Sequence, residues 1–218
     1  MPVRALVFDF DGLLVDTESM ALRAWEDVLA GHGLAVPRER WHGWIGGQGS
    51  DVGMVGYLAD LLGHADAAAL RELWWQRHLT LVGDEPLRPG VSGYLAEAVR
   101  LGLGLAIASS ATGDWVAAHL RRLGTHEAFT VVATGDAHAA KPAPDTYLGA
   151  LAGLGVPATE AVAFEDSPTG VRAAKAAGLC CVAVPNPVTA VLAFPGADLV
   201  LPSLEALSLP DLLARLAD

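Results

Sequence analysis

The sequence predicts an α/β protein with a parallel β-sheet and an inserted segment that is entirely helical. Short β-rich runs followed by helical patterns recur along the chain, which is typical of βα units. This alternation stops after the first run, and residues 16–87 carry helical patterns only. With 218 residues, 52% of them apolar and 18% charged, the chain has enough material for one substantial core and a smaller second one.

Six short runs are predicted as the strands of the sheet. They are residues 4–8, 104–108, 129–133, 161–164, 180–184 and 199–201. A helix is expected directly after the fourth run, because Ser167 is a good N-cap and Pro168 suits the first helical position. This helix is expected to run to Ala177, with Gly178 just beyond its end.

The inserted segment is predicted to contain at least two amphipathic helices. The first is expected to begin after Thr17 as its N-cap and to stop at Gly31 and Gly33. Pro86 and Pro89 mark the return to the sheet. The apolar faces of the two helices are formed by Leu22, Trp25, Val28 and Leu29 and by Leu70, Leu73, Trp74 and Leu81.

These signals divide the chain into two domains. We expect residues 1–15 and 88–218 to form the sheet domain and residues 16–87 to form the helical one. Five of the six tryptophans fall inside the helical segment, where packing into a small core explains them better than ligand stacking.

The charge balance limits the partners of the protein. There are 25 acidic and 14 basic side chains, for a formal net charge of -11. General binders of nucleic acid or of anionic membranes need the opposite sign, so we expect neither as a partner. For its assembly we expect a monomer or a weak homodimer.

The apolar segments predict a cytoplasmic protein. The apolar run at residues 5–8 is too short for a signal peptide, and prolines interrupt residues 176–197, the longest uncharged stretch. Cys180 and Cys181 are neighbours, and neighbours in a strand point to opposite faces, which disfavours a disulfide between them. Two small core residues in a reducing compartment are the better interpretation.

Polar side chains follow several predicted strands, at the edge of the sheet where ligands bind in parallel α/β folds. Asp9 and Asp11 follow the first strand, Ser109 and Ser110 the second, and Glu165 and Asp166 the fourth, while Lys141 comes after the third. Carboxylates this close repel one another unless a cation lies among them, and oxygen ligands of this kind suit magnesium, Mg²⁺.

The spacing of the first pair suits two different chemical roles. In an extended segment Asp9 and Asp11 point to the same side, and Phe10 points toward the core. One carboxylate can attack a reacting atom while the other moves a proton. Alone, this Asp-x-Asp-Gly pattern also fits a solvated turn. The prediction of a catalytic pair therefore depends on all the polar residues that follow the predicted strands. The chain contains two lysines, so any reaction step that needs a lysine side chain must use Lys141 or Lys175.

Four stretches together resemble the motifs of the haloacid dehalogenase-like (HAD) superfamily. In order, they are residues 8–18 (FDFDGLLVDTE), 108–110 (ASS), 141–142 (KP) and 164–168 (FEDSP). The similarity covers nearly the whole chain. Residues 11–18 (DGLLVDTE) and 165–171 (EDSPTGV) look most like the subgroup of β-phosphoglucomutase and small sugar-phosphate phosphatases. The resemblance implies a Rossmann-like core, a helical cap inserted after the first motif, and phosphoryl transfer through a phospho-aspartate.

The resemblance also implies roles for individual residues. Asp9 is the implied nucleophile, and Asp11 the general acid and base. The implied Mg²⁺ ligands are the Asp9 carboxylate, the Asp11 backbone carbonyl and Asp166, with Glu165 as a ligand or close neighbour. Phosphate binding is implied for Ser109, Ser110 and Lys141.

This sequence lacks residues that other members of the superfamily use for phosphonate cleavage and for mutase activity, and it contains one that dehalogenases lack. These differences favour a phosphatase. No lysine precedes residue 141, which argues against phosphonate cleavage through a cap lysine, and the presence of Asp11 argues against dehalogenation. The mutases carry a histidine where this chain has Ala21, and an arginine in a cap loop that here spans residues 45–50. That loop, rich in glycine, fits cap closure better than a P-loop.

Two other functions remain as alternatives. One is a β-phosphoglucomutase-like phosphomutase, for which Arg23, Arg38 or Arg40 would supply the missing charge. The more remote one is a non-catalytic phospho-acceptor or sensor, since receiver domains share the aspartates, hydroxyl and lysine but are shorter and lack a cap. Residues 16–87 contain 11 acidic and 5 basic side chains. The expected partner is therefore a small phosphorylated metabolite, a monophosphate of a neutral sugar or polyol.

Overall fold

The computed structural model describes residues 3–45 and 50–217 and contains a six-stranded parallel β-sheet. The strand order is β3-β2-β1-β4-β5-β6. The strands are β1 (Ala5–Phe8), β2 (Gly104–Ala108), β3 (Val131–Ala133), β4 (Ala161–Glu165), β5 (Cys180–Ala183) and β6 (Leu199–Val200). All six predicted strands are confirmed. The third is shorter than expected because Phe129 closes a turn, where its N–H donates to the carbonyl of His126 (3.3 Å).

Among the described residues, five helices lie between β1 and β2, one helix follows each of β2, β3 and β4, and turns connect β5 to β6. The helices are α1 (Thr17–Gly31), α2 (Arg38–Trp44), α3 (Ser50–Leu62), α4 (His64–Gly83), α5 (Val91–Arg100), α6 (Gly113–Arg122), α7 (Asp145–Leu154), α8 (Pro168–Ala176) and α9 (Leu209–Ala217). Helices α1 to α4 lie within residues 16–87, where the sequence predicts helical patterns only. A Rossmann-like α/β sheet with an inserted helical segment is therefore confirmed.

The central strand β1 is paired with β2 on one side and β4 on the other. Phe8, its last residue, lies beside Ile107 and Phe164. Every residue of β1 is fully buried, and the ring of Phe8 stacks on that of Phe164 with a centroid distance of 4.7 Å. Because the strands are parallel, the residues that follow β1, β2 and β4 meet at one edge of the sheet.

Two helix starts test the predicted caps. Ser167 caps α8 as expected, since its Oγ accepts a hydrogen bond from the Gly170 N–H (3.1 Å). The cap of α1 was predicted wrongly. Asp16 is the N-cap, and its Oδ1 accepts from the Ser19 N–H (3.0 Å), whereas Thr17 is a buried first residue of the helix. A cap side chain must reach the N–H three residues ahead, which Asp16 does.

The chain divides into two compact units. The sheet unit comprises residues 1–15, 86–185 and 193–218, and the helical unit comprises residues 16–85 and 186–192. The second join lies two residues earlier than predicted, at Pro86, and residues 186–192 belong to the helical unit, which the sequence did not predict. Leu87 forms a β-bridge with Val15 and so belongs with the sheet, while Val188 packs into the core of the helical unit.

Tryptophans form much of the core of the helical unit. Trp25, Trp41 and Trp74 are buried, and Trp25 stacks on Trp74 with ring centroids 5.2 Å apart. Leu73 is 49% exposed, in contrast to the prediction, because Leu70 and Trp74 share the buried face at helical spacing. In the described part of the chain, no helix is both long and apolar enough to cross a membrane.

Candidate active site

Asp9 lies at the carboxyl end of the central strand. Its N–H donates to the Phe164 carbonyl (3.0 Å), so its backbone is fixed between the ends of β1 and β4. The residue is only 7% exposed. Burial raises the pKa of Asp9 to about 8, and the neighbouring Lys141 ammonium opposes this rise. The carboxylate therefore lies where a positive partner is needed to keep it ionised at neutral pH.

Lys141 joins two carboxylates from different strands. Its Nζ donates to Asp9 Oδ1 (2.6 Å) and to Glu165 Oε1 (2.5 Å), and its side chain is 8% exposed. Burial acts to lower the pKa of Lys141, but the two carboxylates outweigh it and raise the pKa above its ordinary value. Lys141 is thus a permanent cation inside the cluster, which combines it with Asp9 and Glu165 as the sequence predicts.

Glu165 is completely buried and is held by two donors besides Lys141. The Tyr147 hydroxyl donates to Glu165 Oε1 (2.7 Å), and Ser167 Oγ donates to Oε2 (3.4 Å). Burial, followed by the charge of Glu165, raises the pKa of Tyr147 well above its ordinary value, so the phenol stays protonated and remains a donor. These contacts orient Glu165 toward Lys141.

Gly170 leaves the space that the Glu165 carboxyl group occupies. A Cβ atom at this position would overlap the carboxyl atoms of Glu165, and both residues are buried. We expect Gly170→Ala to lower the free energy of unfolding by about 2 kcal/mol, since a methyl group has no room here. Urea titration of the purified protein measures this change.

The matched control for this substitution is Gly93→Ala on the exposed face of α5. Nothing lies within 4 Å of a Cβ added there, so the change is expected to be neutral or stabilising by up to about 1 kcal/mol. Equal unfolding midpoints for Gly170→Ala and the unchanged protein would contradict the close approach of Gly170 to Glu165.

Asp166 completes a cluster of three buried carboxylates. One ligand atom from each of Asp9, Glu165 and Asp166 lies within 4.8 Å of the other two. Three buried carboxyl groups lie together with the ammonium of Lys141, and hard oxygen donors of this kind suit Mg²⁺. The residues present therefore fit a divalent cation.

Asp11 does not join these three carboxylates through its side chain. Its Oδ1 accepts a hydrogen bond from the Trp115 indole N–H (2.9 Å), and the side chain is partly buried. Asp9 and Asp11 consequently have different surroundings, one beside Lys141 and the other beside an uncharged donor. The nucleophile and acid-base roles that the HAD resemblance implies for the pair stay a prediction.

The two serines after β2 occupy different positions. Ser109 is buried, its N–H donates to the Ala133 carbonyl (3.0 Å), and its Oγ accepts from the Ala111 N–H (3.0 Å). Ser110 is exposed, and its Oγ accepts from the backbone N–H of Lys141 (3.1 Å). Ser110 thus anchors the backbone that carries Lys141, which the sequence did not indicate.

Several contributors to this site were missed by sequence reasoning. Trp115, Tyr147 and Gly170 act through contacts described above. Arg88 was also missed: its guanidinium donates to the carbonyls of Gly12 (2.6 Å), Val184 (3.1 Å) and Pro185 (2.7 Å). Only Gly170 carried a usable signal, because it lies in the stretch after Asp166. Residues 46–49 of the glycine-rich loop lie outside the described residues, so the role of this loop in cap closure stays a prediction.

Comparisons with known proteins agree with the fold. Residues 3–178 match the haloacid dehalogenase-like hydrolase family. YhcW of Bacillus subtilis (strain 168) is 38% identical over 219 residues, covering 98% of both chains. The fructose-1-phosphate phosphatase YqaB of Escherichia coli (strain K12) is 33% identical over 187 residues, covering 82% of this chain and 95% of YqaB.

A solved structure extends this similarity to three dimensions. The crystal structure of an aspartate-to-asparagine variant of CbbY from Rhodobacter sphaeroides, in complex with xylulose-1,5-bisphosphate, superposes with a TM-score of 0.75. It is 34% identical and covers 96% of this chain and 99% of CbbY.

The fold and the buried acidic cluster define an α/β enzyme that works at the carboxyl edge of a parallel sheet. The protein belongs to the haloacid dehalogenase-like hydrolase family. Within that family it is a phosphatase, an enzyme that hydrolyses phosphoric monoesters.

Proposed function

We propose that this protein is a Mg²⁺-dependent phosphatase that hydrolyses a small sugar or polyol phosphate through a phospho-aspartate. The observation that carries the proposal is the buried cluster of Asp9, Lys141, Glu165 and Asp166 at the carboxyl ends of β1 and β4. It combines a proposed nucleophile, a fixed cation and further carboxylates whose side chains are at most 10% exposed, and electrostatic interactions are strong among buried groups.

Asp9 is the nucleophile in this proposal. Its carboxylate oxygen forms a bond to phosphorus as the bond from phosphorus to the leaving oxygen breaks, which gives an acyl phosphate. Asp11 supplies the proton to that leaving oxygen. In the second step Asp11 takes a proton from the water that attacks the phosphorus, and Asp9 is released. The separate hydrogen-bond environments of the two aspartates support this division of roles.

The magnesium ion would be held by the carboxylates of Asp9 and Asp166 and the backbone carbonyl of Asp11, with Glu165 as a further ligand or close neighbour. When bound, it supplies positive charge to the transferring phosphoryl group. Support comes from the three buried carboxylates, whose oxygen atoms lie within 4.8 Å of one another.

Lys141 and Ser109 bind the phosphoryl group in the same proposal. The Lys141 ammonium neutralises charge on Asp9 before attack and on the phosphoryl oxygens afterwards. Ser109 Oγ accepts from the Ala111 N–H, which leaves its own hydroxyl proton to donate to a phosphoryl oxygen. Ser110 supports the site through its bond to the Lys141 backbone, and contacts phosphate as the HAD motif implies.

The proposed substrate class follows from relatives and from charge. YqaB is named for fructose 1-phosphate, and CbbY was crystallised with a sugar bisphosphate. Residues 16–87 of this chain carry 11 acidic against 5 basic side chains, which disfavours a second phosphate on the substrate. A monophosphate of an uncharged sugar or polyol therefore fits this chain best.

Removal of divalent cations provides a direct test. We expect hydrolysis of p-nitrophenyl phosphate to fall at least about 100-fold in excess EDTA, because the buried carboxylates then repel the phosphate group. Added Mg²⁺ should restore the rate, and Ca²⁺, which prefers a larger oxygen shell, should restore it poorly. Full activity after exhaustive chelation would contradict the proposed metal dependence.

A substrate panel separates the phosphatase from the mutase. Phosphate release is measured with sugar, polyol, nucleotide and glycolate phosphates, and we expect the highest kcat/KM among sugar or polyol monophosphates. Incubation with β-glucose 1-phosphate and a trace of the 1,6-bisphosphate then distinguishes free phosphate, the expected product, from glucose 6-phosphate. Accumulation of glucose 6-phosphate would establish the mutase instead.

A further inference from the structure

Trp115 reaches the proposed acid and base from a distant part of the chain. Its indole Nε1 donates to Asp11 Oδ1 at 2.9 Å, although 104 residues separate the two in sequence. Trp115 lies in the first turn of α6, outside the helical unit that holds the other five tryptophans. Core packing of that unit therefore does not explain it.

The indole is held in place by its own helix. Thr112, the N-cap of α6, accepts a hydrogen bond from the Trp115 backbone N–H (3.4 Å). One turn later the ring of His119 packs edge-on against the indole, with centroids 4.3 Å apart, and also lies 6.0 Å from the ring of Phe10. Burial, aided by Arg122, lowers the pKa of His119, so this imidazole is neutral near pH 7 and adds no competing charge.

An indole N–H is well suited to hold a carboxyl group that exchanges protons. It donates one hydrogen bond, accepts none, and does not ionise in the range where enzymes work. It can therefore bind one oxygen of Asp11 in both protonation states without taking the proton itself. A hydroxyl, imidazole or ammonium group at the same place would be able to exchange protons with Asp11.

We propose that Trp115 is a positioning residue for Asp11: its N–H fixes Oδ1, so that Oδ2 carries the proton to and from the substrate. The inference rests on the proposed function, in which Asp11 protonates the leaving oxygen as the bond from phosphorus to that oxygen breaks and Asp9 bonds to phosphorus. Fixing one oxygen limits rotation of the carboxyl group and so keeps the other in a defined direction.

The test uses leaving groups that differ in their need for a proton. Phenolate from phenyl phosphate is a basic leaving group, whereas 2,4-dinitrophenolate departs readily without protonation. We expect Trp115→Phe to lower kcat/KM about tenfold with phenyl phosphate and less than about twofold with 2,4-dinitrophenyl phosphate. Since kcat/KM covers only the steps through cleavage, the later attack by water does not affect this comparison. An equal loss with both substrates would overturn the inference.

A second variant separates the hydrogen bond from ring packing. Trp115→Gln removes the ring but keeps an N–H donor, whereas Trp115→Phe keeps a ring and removes the donor. We expect the Gln variant to retain the higher kcat/KM with phenyl phosphate. The opposite order would assign Trp115 to packing alone. Thermal unfolding of each variant is measured first and shows whether its fold is intact. If the Gln variant unfolds, the losses of kcat/KM that Trp115→Phe shows with phenyl phosphate and with 2,4-dinitrophenyl phosphate still decide whether Trp115 positions Asp11.

The same assays distinguish failure of this inference from failure of the proposed function. Asp9→Asn is measured with both aryl phosphates alongside the Trp115 variants. If Asp9→Asn keeps its activity, the phospho-aspartate proposal fails, and the inference on Trp115 fails with it. If Asp9→Asn is inactive and the Trp115 variants lose both substrates equally, only the positioning role is wrong.

Discussion

Asp9→Asn is expected to lower kcat by at least about 10³-fold, because the amide neither attacks phosphorus nor forms an acyl phosphate. This corresponds to about 4 kcal/mol of lost transition-state stabilisation. The measurement is hydrolysis of p-nitrophenyl phosphate in saturating Mg²⁺, together with acid-quenched mass spectrometry. The unchanged protein should acquire one phosphoryl group on the peptide that contains Asp9, and the variant should acquire none.

The fold of this variant is expected to remain intact. Lys141 still pairs with Glu165, and one buried carboxylate whose pKa is raised by burial is replaced by a neutral group. Loss of activity is therefore chemical rather than structural, which circular dichroism and thermal unfolding check. Asp60→Asn, an exposed change on α3, is the matched control and should retain full activity. Turnover that survives Asp9→Asn would remove Asp9 from the mechanism.

Lys141→Met is expected to damage both stability and catalysis. It removes the cation that Asp9 and Glu165 share and leaves their carboxylates buried without it. Breaking a buried pair in this way costs about 3 kcal/mol or more of unfolding free energy. We also expect kcat/KM to fall at least about 10³-fold, since the transferring phosphoryl group loses its fixed positive partner. Urea titration and steady-state kinetics measure the two effects.

The chain provides an unusually close control, because Lys175 is its only other lysine. Lys175 pairs with Asp198 (2.6 Å) in a partly exposed position, with side-chain exposures of 36% and 38%. Lys175→Met should therefore change unfolding free energy by less than about 1 kcal/mol and leave kcat/KM unchanged. Similar losses for both lysine variants would contradict the special position of Lys141.

A magnesium titration refines the comparison. Mg²⁺ should raise the urea midpoint of Lys141→Met, because a cation bound among Asp9, Glu165 and Asp166 offsets part of the uncompensated charge. The rise should be absent in high EDTA. If Mg²⁺ had no effect on the unfolding midpoint of either the variant or the unchanged protein, the cluster would not be a magnesium site.

Local patterns in the sequence carried much of the fold. Apolar runs predicted all six strands, and the Ser167-Pro168 cap predicted the start of α8, since both depend on residues close in sequence. The α1 cap was missed by one residue, because Asp16 and Thr17 are both acceptable caps and only backbone geometry selects between them. The exposure of Leu73 was likewise not predictable from neighbouring residues, because it depends on which face of α4 packs against α1 and α3.

The catalytic candidates were readable because each lies in a short motif at the end of a strand. Parallel strands bring such ends to one edge, so Asp9, Glu165 and Asp166 had to be neighbours once the sheet existed. Contacts between side chains from separate elements carried no such signal. The hydrogen bond from Trp115 to Asp11 and the one from Tyr147 to Glu165 depend on how α6 and α7 pack on the sheet.

Motifs and apolar periodicity in this chain thus predicted the strands, the helical insertion and the charged residues that lie together at one edge of the sheet. They did not reveal that Ser110 anchors the Lys141 backbone, or that residues 186–192 leave the sheet unit to pack in the helical one. The physical reason is the range of the interactions. Hydrogen-bonded turns and strand patterns act over a few residues, whereas the environment of a buried side chain is set by segments far away in sequence, which meet only in the folded chain.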